Sequence, residues 1–129
     1  PEGPRYYPEG QWTSQTERQI VAELIREQAL YCLNEEIPHG IGVEILSMKE
    51  LSENLTEIFA DIYCERASHK GMIIGKSGSM LQRIGSKARA QIEELLNTHV
   101  NLKLWVKVRP DWRNSANDLK TLGYSEQNS

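Results

Sequence analysis

The sequence predicts an α+β domain: a three-stranded sheet packed on one face by helices, in the order α-β-β-α-α-β with one more helix at the C-terminal end. Three observations predict it. Three segments alternate apolar and polar residues with a period of two, as strands with one buried face do. Two of them follow one another with no helical stretch between, which argues against a doubly wound parallel sheet. Apolar residues recur at helical spacing before the first strand, and again between the second and third.

In order along the chain, residues 1–15 hold three of the five prolines, two glycines, Tyr6, Tyr7 and Trp12, with no periodicity. They read as a linker or extended arm from something upstream. The domain proper is expected over 16–124, with 125–129 as a polar, flexible tail. Thr16 can cap a first helix, with Gln19 as capping-box partner. Its stripe is Val21, Leu24, Ile25, Gln28, Tyr31 and Cys32, and it is expected to end near Asn34, ahead of Pro38 and Gly40. Ile41, Val43 and Ile45 mark the first strand; Ile58, Ala60, Ile62 and Cys64 mark the second. The polar run Ser47–Thr56 reads as the connection of this hairpin. A short helix starts around Ser68 and stops at Gly75. A long one starts at Gly78 or Ser79, with Leu81, Ile84, Ala88, Ile92 and Leu95 as its apolar stripe and Asn97 near its end. Leu102, Leu104, Val106 and Val108 form the third strand. Beyond Pro110, Asn114 or Ser115 can cap a last helix running to Leu122.

Composition removes several classes of function. At 129 residues the chain is one domain with flanks. No apolar run approaches a membrane span of about 20 residues, and the N-terminus lacks the pattern of a signal peptide. Cys32 and Cys64 lie in apolar segments without C-x-x-C spacing, so buried free thiols are expected. His39, His69 and His99 show no metal-ligand spacing; they read as exposed loop histidines, with His69 near enough to the loop described below to touch phosphate. No nucleophile or acid–base constellation stands out. The formal net charge is -3, but its distribution is uneven. Between Arg66 and Arg113 there are ten basic residues against three acidic ones, a net of +7, which leaves -10 for the remainder of a chain totalling -3. Such polarity can focus a polyanion on one face of an acidic protein.

The segment with the most chemistry is Gly71–Leu81, centred on Gly75-Lys76-Ser77-Gly78. A G-x-x-G loop at a helix start removes side chains where a phosphodiester backbone must approach. Free N–H groups at the helix start favour an anion. Lys76 and Ser77 add a cation and a hydroxyl at the tip. Ile73, Ile74 and Ile84, with the edge of the second strand, can form an apolar groove for bases. Two other readings compete. A tight corner between helices also needs small residues. Gly71 to Ser77 also nearly spells a P-loop, but with three residues between the glycines instead of four, and no strand-borne aspartate follows to hold magnesium. Trp105 and Trp112 can stack on bases, although packing a helix onto the sheet is the commoner role for such residues.

These residues resemble a known family. G-M-I-I-G-K-S-G-S-M-L-Q-R-I-G (Gly71–Gly85) and L-W-V-K-V-R-P-D-W-R (Leu104–Arg113) resemble the C-terminal KH domain of the Era GTPase family. So do I-R-E-Q (Ile25–Gln28), E-E-I-P-H (Glu35–His39), V-E-I (Val43–Ile45), the opening P-E-G-P-R-Y-Y-P-E and the closing L-G-Y (Leu122–Tyr124). The resemblance implies a type II KH fold that binds single-stranded RNA near the 3′ end of 16S ribosomal RNA and assists small ribosomal subunit assembly. It implies a parent GTPase whose catalytic domain, with its GTP and Mg, lies upstream. This chain would then have no catalytic residues, metal or cofactor of its own. It implies a cytoplasmic location, with peripheral association at the inner membrane known for some members. By position, Gly75, Lys76, Ser77 and Gly78 would meet the RNA backbone, with Gly71 beside them. Met72, Ile73, Ile74, Met80 and Ile84 would line the groove, and Lys70, Arg83 and Lys87 would add electrostatic reach. Many members carry glycine where Ser77 stands, so altered loop contacts are expected. The alternative is a KH-like protein-interaction domain that binds no RNA.

Overall fold

A computed structural model describes residues 14–34, 36–37 and 40–110. Helix α1 spans Ser14–Cys32, strand β1 Gly42–Ser52, strand β2 Leu55–Cys64, helix α2 Ala67–Ile74, helix α3 Ser79–Leu96 and strand β3 His99–Val108. A single 3-10 turn, Lys76–Gly78, joins α2 to α3. The α+β class and the strand–strand–helix–helix–strand succession are as expected. The last expected helix, Asn114 to Leu122, lies outside the described residues, as do Trp112 and His39.

The strands lie in the order β1-β2-β3. β1 runs antiparallel to β2, as a hairpin must, and β3 runs parallel to β2, as a return through α2 and α3 allows. The alternation in β2 puts Thr56, Ile58, Ala60, Ile62 and Cys64 under the helices. Helix α1 answers with Val21, Ile25, Ala29 and Cys32 on one stripe, and α3 with Ile84, Ala88 and Ile92. Ile73 of α2 and Val100 and Val106 of β3 complete a single core on that side of the sheet. Cys32 and Cys64 are buried free thiols, as expected. Burial pushes the Cys64 thiol pKa up, with a backbone hydrogen bond at Arg66 opposing it.

Three boundaries differ from the sequence reading. Helix α1 begins at Ser14, two residues before the Thr16 cap, and its first turn carries Glu17, which suits the positive end of the helix dipole. It ends at Cys32, and Asn34 takes a left-handed conformation just beyond, at φ 54°. The polar run from Ser47 is mostly strand, not loop: β1 continues to Ser52 and β2 starts at Leu55, leaving only Glu53 and Asn54 at the turn. Period two missed it because the register slips between Ile45 and Ser47, and again between Glu50 and Ser52. Each slip is a bulge, an extra residue that flips the phase of everything after it. The extra residues, Leu46 and Leu51, are the exposed leucines of the hairpin.

Candidate nucleic-acid interface

The G-x-x-G segment is a tight corner between two helices, and three of its four residues sit in backbone regions costly for ordinary residues. Gly75 ends α2 at φ 76°, ψ 178°, with its N–H bonded to the Gly71 carbonyl at 2.8 Å. Ser77 (φ 56°, ψ 28°) and Gly78 (φ 78°, ψ 8°) are left-handed. The Gly78 N–H returns to the Gly75 carbonyl at 3.2 Å and closes the turn. Lys76 and Ser77 project from it into solvent. No side chain caps the start of α3 and its first turn holds no acid. The Ser79 N–H returns to the Lys76 carbonyl, as that of Gly78 does to Gly75, so the N–H groups left to an anion are the next along the helix, those of Met80 and Leu81. Gly71 lies inside α2, so the segment preceding the loop is a helix where a P-loop requires a strand.

Beside the loop a groove of about 500 Å³ opens between α3 and β3. Gly78, Leu81, Gln82, Gly85, Ser86 and Arg89 form its helical wall, and Val100, Asn101, Leu102 and Leu104 the strand wall. Among the described residues β3 is an edge strand, and its backbone pairing shows what that edge offers. The His99 N–H donates to the Asn54 carbonyl at 2.9 Å and the Arg109 N–H to the Cys64 carbonyl at 2.7 Å. The odd-numbered residues of β3 thus spend their backbone groups on β2. Alternation turns the N–H and C=O of Leu102 and Leu104 to the free edge. Val100 obeys the same rule: its N–H points away from β2 and donates to Glu93 Oε2 at 2.8 Å.

Only part of the expected site assembles here. Gly75, Lys76, Ser77 and Gly78 form the loop as expected, with Lys70 and Gly71 exposed on α2 before it. Met72, Ile74 and Met80 are half-buried around the corner. Ile73 and Ile84 are corrections: both are 0% exposed and belong to the core, so neither offers a surface to a base. Their apolar character marks the inward stripe of their helices. Arg83 and Lys87 also turn away. At about 100° per residue on α3 they fall on the side opposite Gln82, Gly85 and Arg89, and Lys87 Nζ lies 5.9 Å from the Tyr31 ring centroid on α1. His69 is buried with its Nδ1 unpaired, so it is no loop-surface histidine. Sequence reading missed the strand wall and Arg89. One signal could have found the groove: Gly85 in mid-helix, where glycine costs about 1 kcal/mol against alanine and earns its place only by leaving room.

A single-strand clamp of this build, a G-x-x-G corner feeding a groove between a helix and a free strand edge, defines the KH class of nucleic-acid-binding domains. The chain belongs to the KH domain family, whose sequence profile matches residues 36–113. Its α-β-β-α-α-β order is the type II arrangement. Within that family it is similar to the KH domains of Era proteins. It is 59% identical over 124 residues to the GTPase Era of Ruminiclostridium cellulolyticum, covering 96% of this chain and 42% of that protein. It also resembles a crystallised Aquifex aeolicus Era variant bound to GDP.AlF4-, at 39% identity and a TM-score of 0.77 over 96% of this chain and 42% of that one. The same values hold for a crystal structure of Era in complex with MgGDPNP and nucleotides 1506-1542 of 16S ribosomal RNA. The chain spans about two-fifths of the length of the relatives it matches.

Proposed function

We propose that this chain is the RNA-binding module of an Era-type GTPase and holds single-stranded RNA near the 3′ end of 16S ribosomal RNA during small-subunit assembly. One observation carries the reading: the uncapped start of α3 opens directly into a groove whose far wall is an unpaired strand edge. A phosphate would sit against the N–H groups of Met80 and Leu81 and the Lys76 ammonium. The bases that follow would lie on Leu81, Gly85, Leu102 and Leu104, where aliphatic surface suffices. The Leu102 and Leu104 backbones present an N–H donor beside a C=O acceptor, which fits the paired acceptor and amino group on the edges of adenine and cytosine. Arg89 would take a phosphate at the rim. The Era structure in complex with a 16S ribosomal RNA segment supports the choice of RNA. In this reading residues 1–15 connect the module to a GTPase domain that binds GTP and Mg, and the parent works in the cytoplasm.

The test replaces both tip residues, Lys76→Asp with Ser77→Asp, and measures affinity for a 16S 3′-end fragment by fluorescence anisotropy across salt. The unaltered protein should show a log–log salt slope near -2, for about three phosphates at roughly -0.7 each. The variant should bind at least about tenfold more weakly, roughly 1.4 kcal/mol, with an unchanged melting temperature. Equal affinity in the two proteins would sink the proposal in favour of a protein-docking domain.

A further inference from the structure

The strand that walls the groove has a second face. Among the described residues the helices cover one side of the sheet; the other carries the odd-numbered residues of β2 and β3. There Trp105 is 43% exposed, and its ring meets Phe59 edge-on at a centroid distance of 5.6 Å. It therefore packs none of the described helices onto the sheet. Its neighbours on the same face of β3 are Lys103 and Lys107, both exposed. Resting on the reading of the groove as an RNA site, we infer that the RNA strand leaving the groove crosses the free edge of β3 and continues on this open face, with one base stacked on Trp105 and phosphates at Lys103 and Lys107.

Two observations select RNA as the occupant. The first is continuity: Leu104, on the groove wall, directly precedes Trp105, so the two surfaces are the two sides of one edge strand. The second is charge. The acids of the open face, Glu44, Glu57 and Asp61, stand on β1 and β2, whereas the charged side chains that β3 places around Trp105, Lys103 and Lys107, are both basic and stand on the strand nearest the groove. A basic row interrupted by an aromatic ring is how sequence-tolerant single-strand surfaces are built.

The experiment compares a four-nucleotide and a ten-nucleotide RNA, each containing the same groove sequence, on the 129-residue chain. The longer RNA should bind about tenfold more tightly, from one stacked base. Trp105→Ala should remove that gain and leave the short RNA unaffected, and Trp105→Phe should restore most of it. Lys103→Glu, an exposed change with no bearing on folding, should weaken the long RNA at least about threefold and flatten its salt slope by about 0.7. If the short RNA binds but length adds nothing, or Trp105→Ala and Lys103→Glu leave the long RNA unchanged, the inference is overturned while the groove reading stands, and the face is left to a protein partner. If neither RNA binds, both fall.

Discussion

Gly75 and Gly78 look equivalent in sequence, yet they meet different demands. A Cβ on Gly75 would lie 2.6 Å from Met80 Cβ and 2.8 Å from its backbone nitrogen, in a φ/ψ region that essentially only glycine enters. A Cβ on Gly78 would meet nothing within 4 Å, and its left-handed conformation is the milder one. Gly75→Ala should therefore cost about 3 kcal/mol, and Gly78→Ala about 1 kcal/mol, in urea denaturation; equal losses would mean the corner is looser than drawn. The spacing of the loop was legible from residue types alone. Which glycine is indispensable was not, because that follows from the placement of Met80. Ser77, left-handed at φ 56°, stands where a glycine would sit without steric cost. The basic residues show the same limit: Arg83, Lys87 and Arg89 are alike in charge, and only the packing of α3 against α1 decides which of them sees the groove.

At the scale of elements, α3 serves two surfaces at once. Ile84, Ala88 and Ile92 hold it to the core, while the face one quarter-turn away stays open because Gly85 has no side chain to fill it. A Cβ on Gly85 would approach only Leu104 Cδ1, at 3.7 Å, an ordinary contact. Gly85→Ala should thus raise stability by about 1 kcal/mol through helix propensity. Gly85→Leu should keep the fold but fill the groove, weakening RNA at least about tenfold, or about 1.4 kcal/mol. Melting curves and anisotropy on the same samples separate the two effects, and normal binding by Gly85→Leu would place the RNA elsewhere. The helices, β2 and β3 were legible because each keeps one period from end to end. β1 was legible only to Ile45, where a bulge reverses its phase. The groove was not legible, since apolar periodicity cannot distinguish residues facing the core from those facing a cleft between two elements.

At the scale of the molecule, the open face of the sheet is laced by one residue whose titration the whole domain feels. Tyr63, on the central strand, donates its hydroxyl to Glu44 on β1, while its ring lies 4.4 Å from the Arg109 guanidinium just past β3. Burial first, and then the Glu44 carboxylate through its hydrogen bond and charge, push the phenol pKa up from 10.0 to about 12, against a smaller opposing pull from Arg109. The folded protein thus favours the neutral phenol more than the unfolded chain does. Linkage gives the sign: this contribution to stability is complete below pH 10 and is lost as pH rises toward 12, because the unfolded state ionises first. One other group acts in the same range: the Cys64 thiol, also pushed up by burial, adds to the loss. Tyr63→Phe isolates the phenol, since it keeps the ring under Arg109 and removes only the ionisable hydroxyl. In urea denaturation from pH 8 to 11.5, the native chain should lose more stability with pH than Tyr63→Phe does, and the two curves should converge at the alkaline end. Parallel curves would show that Glu44 and Tyr63 do not join β1 to β2 in solution.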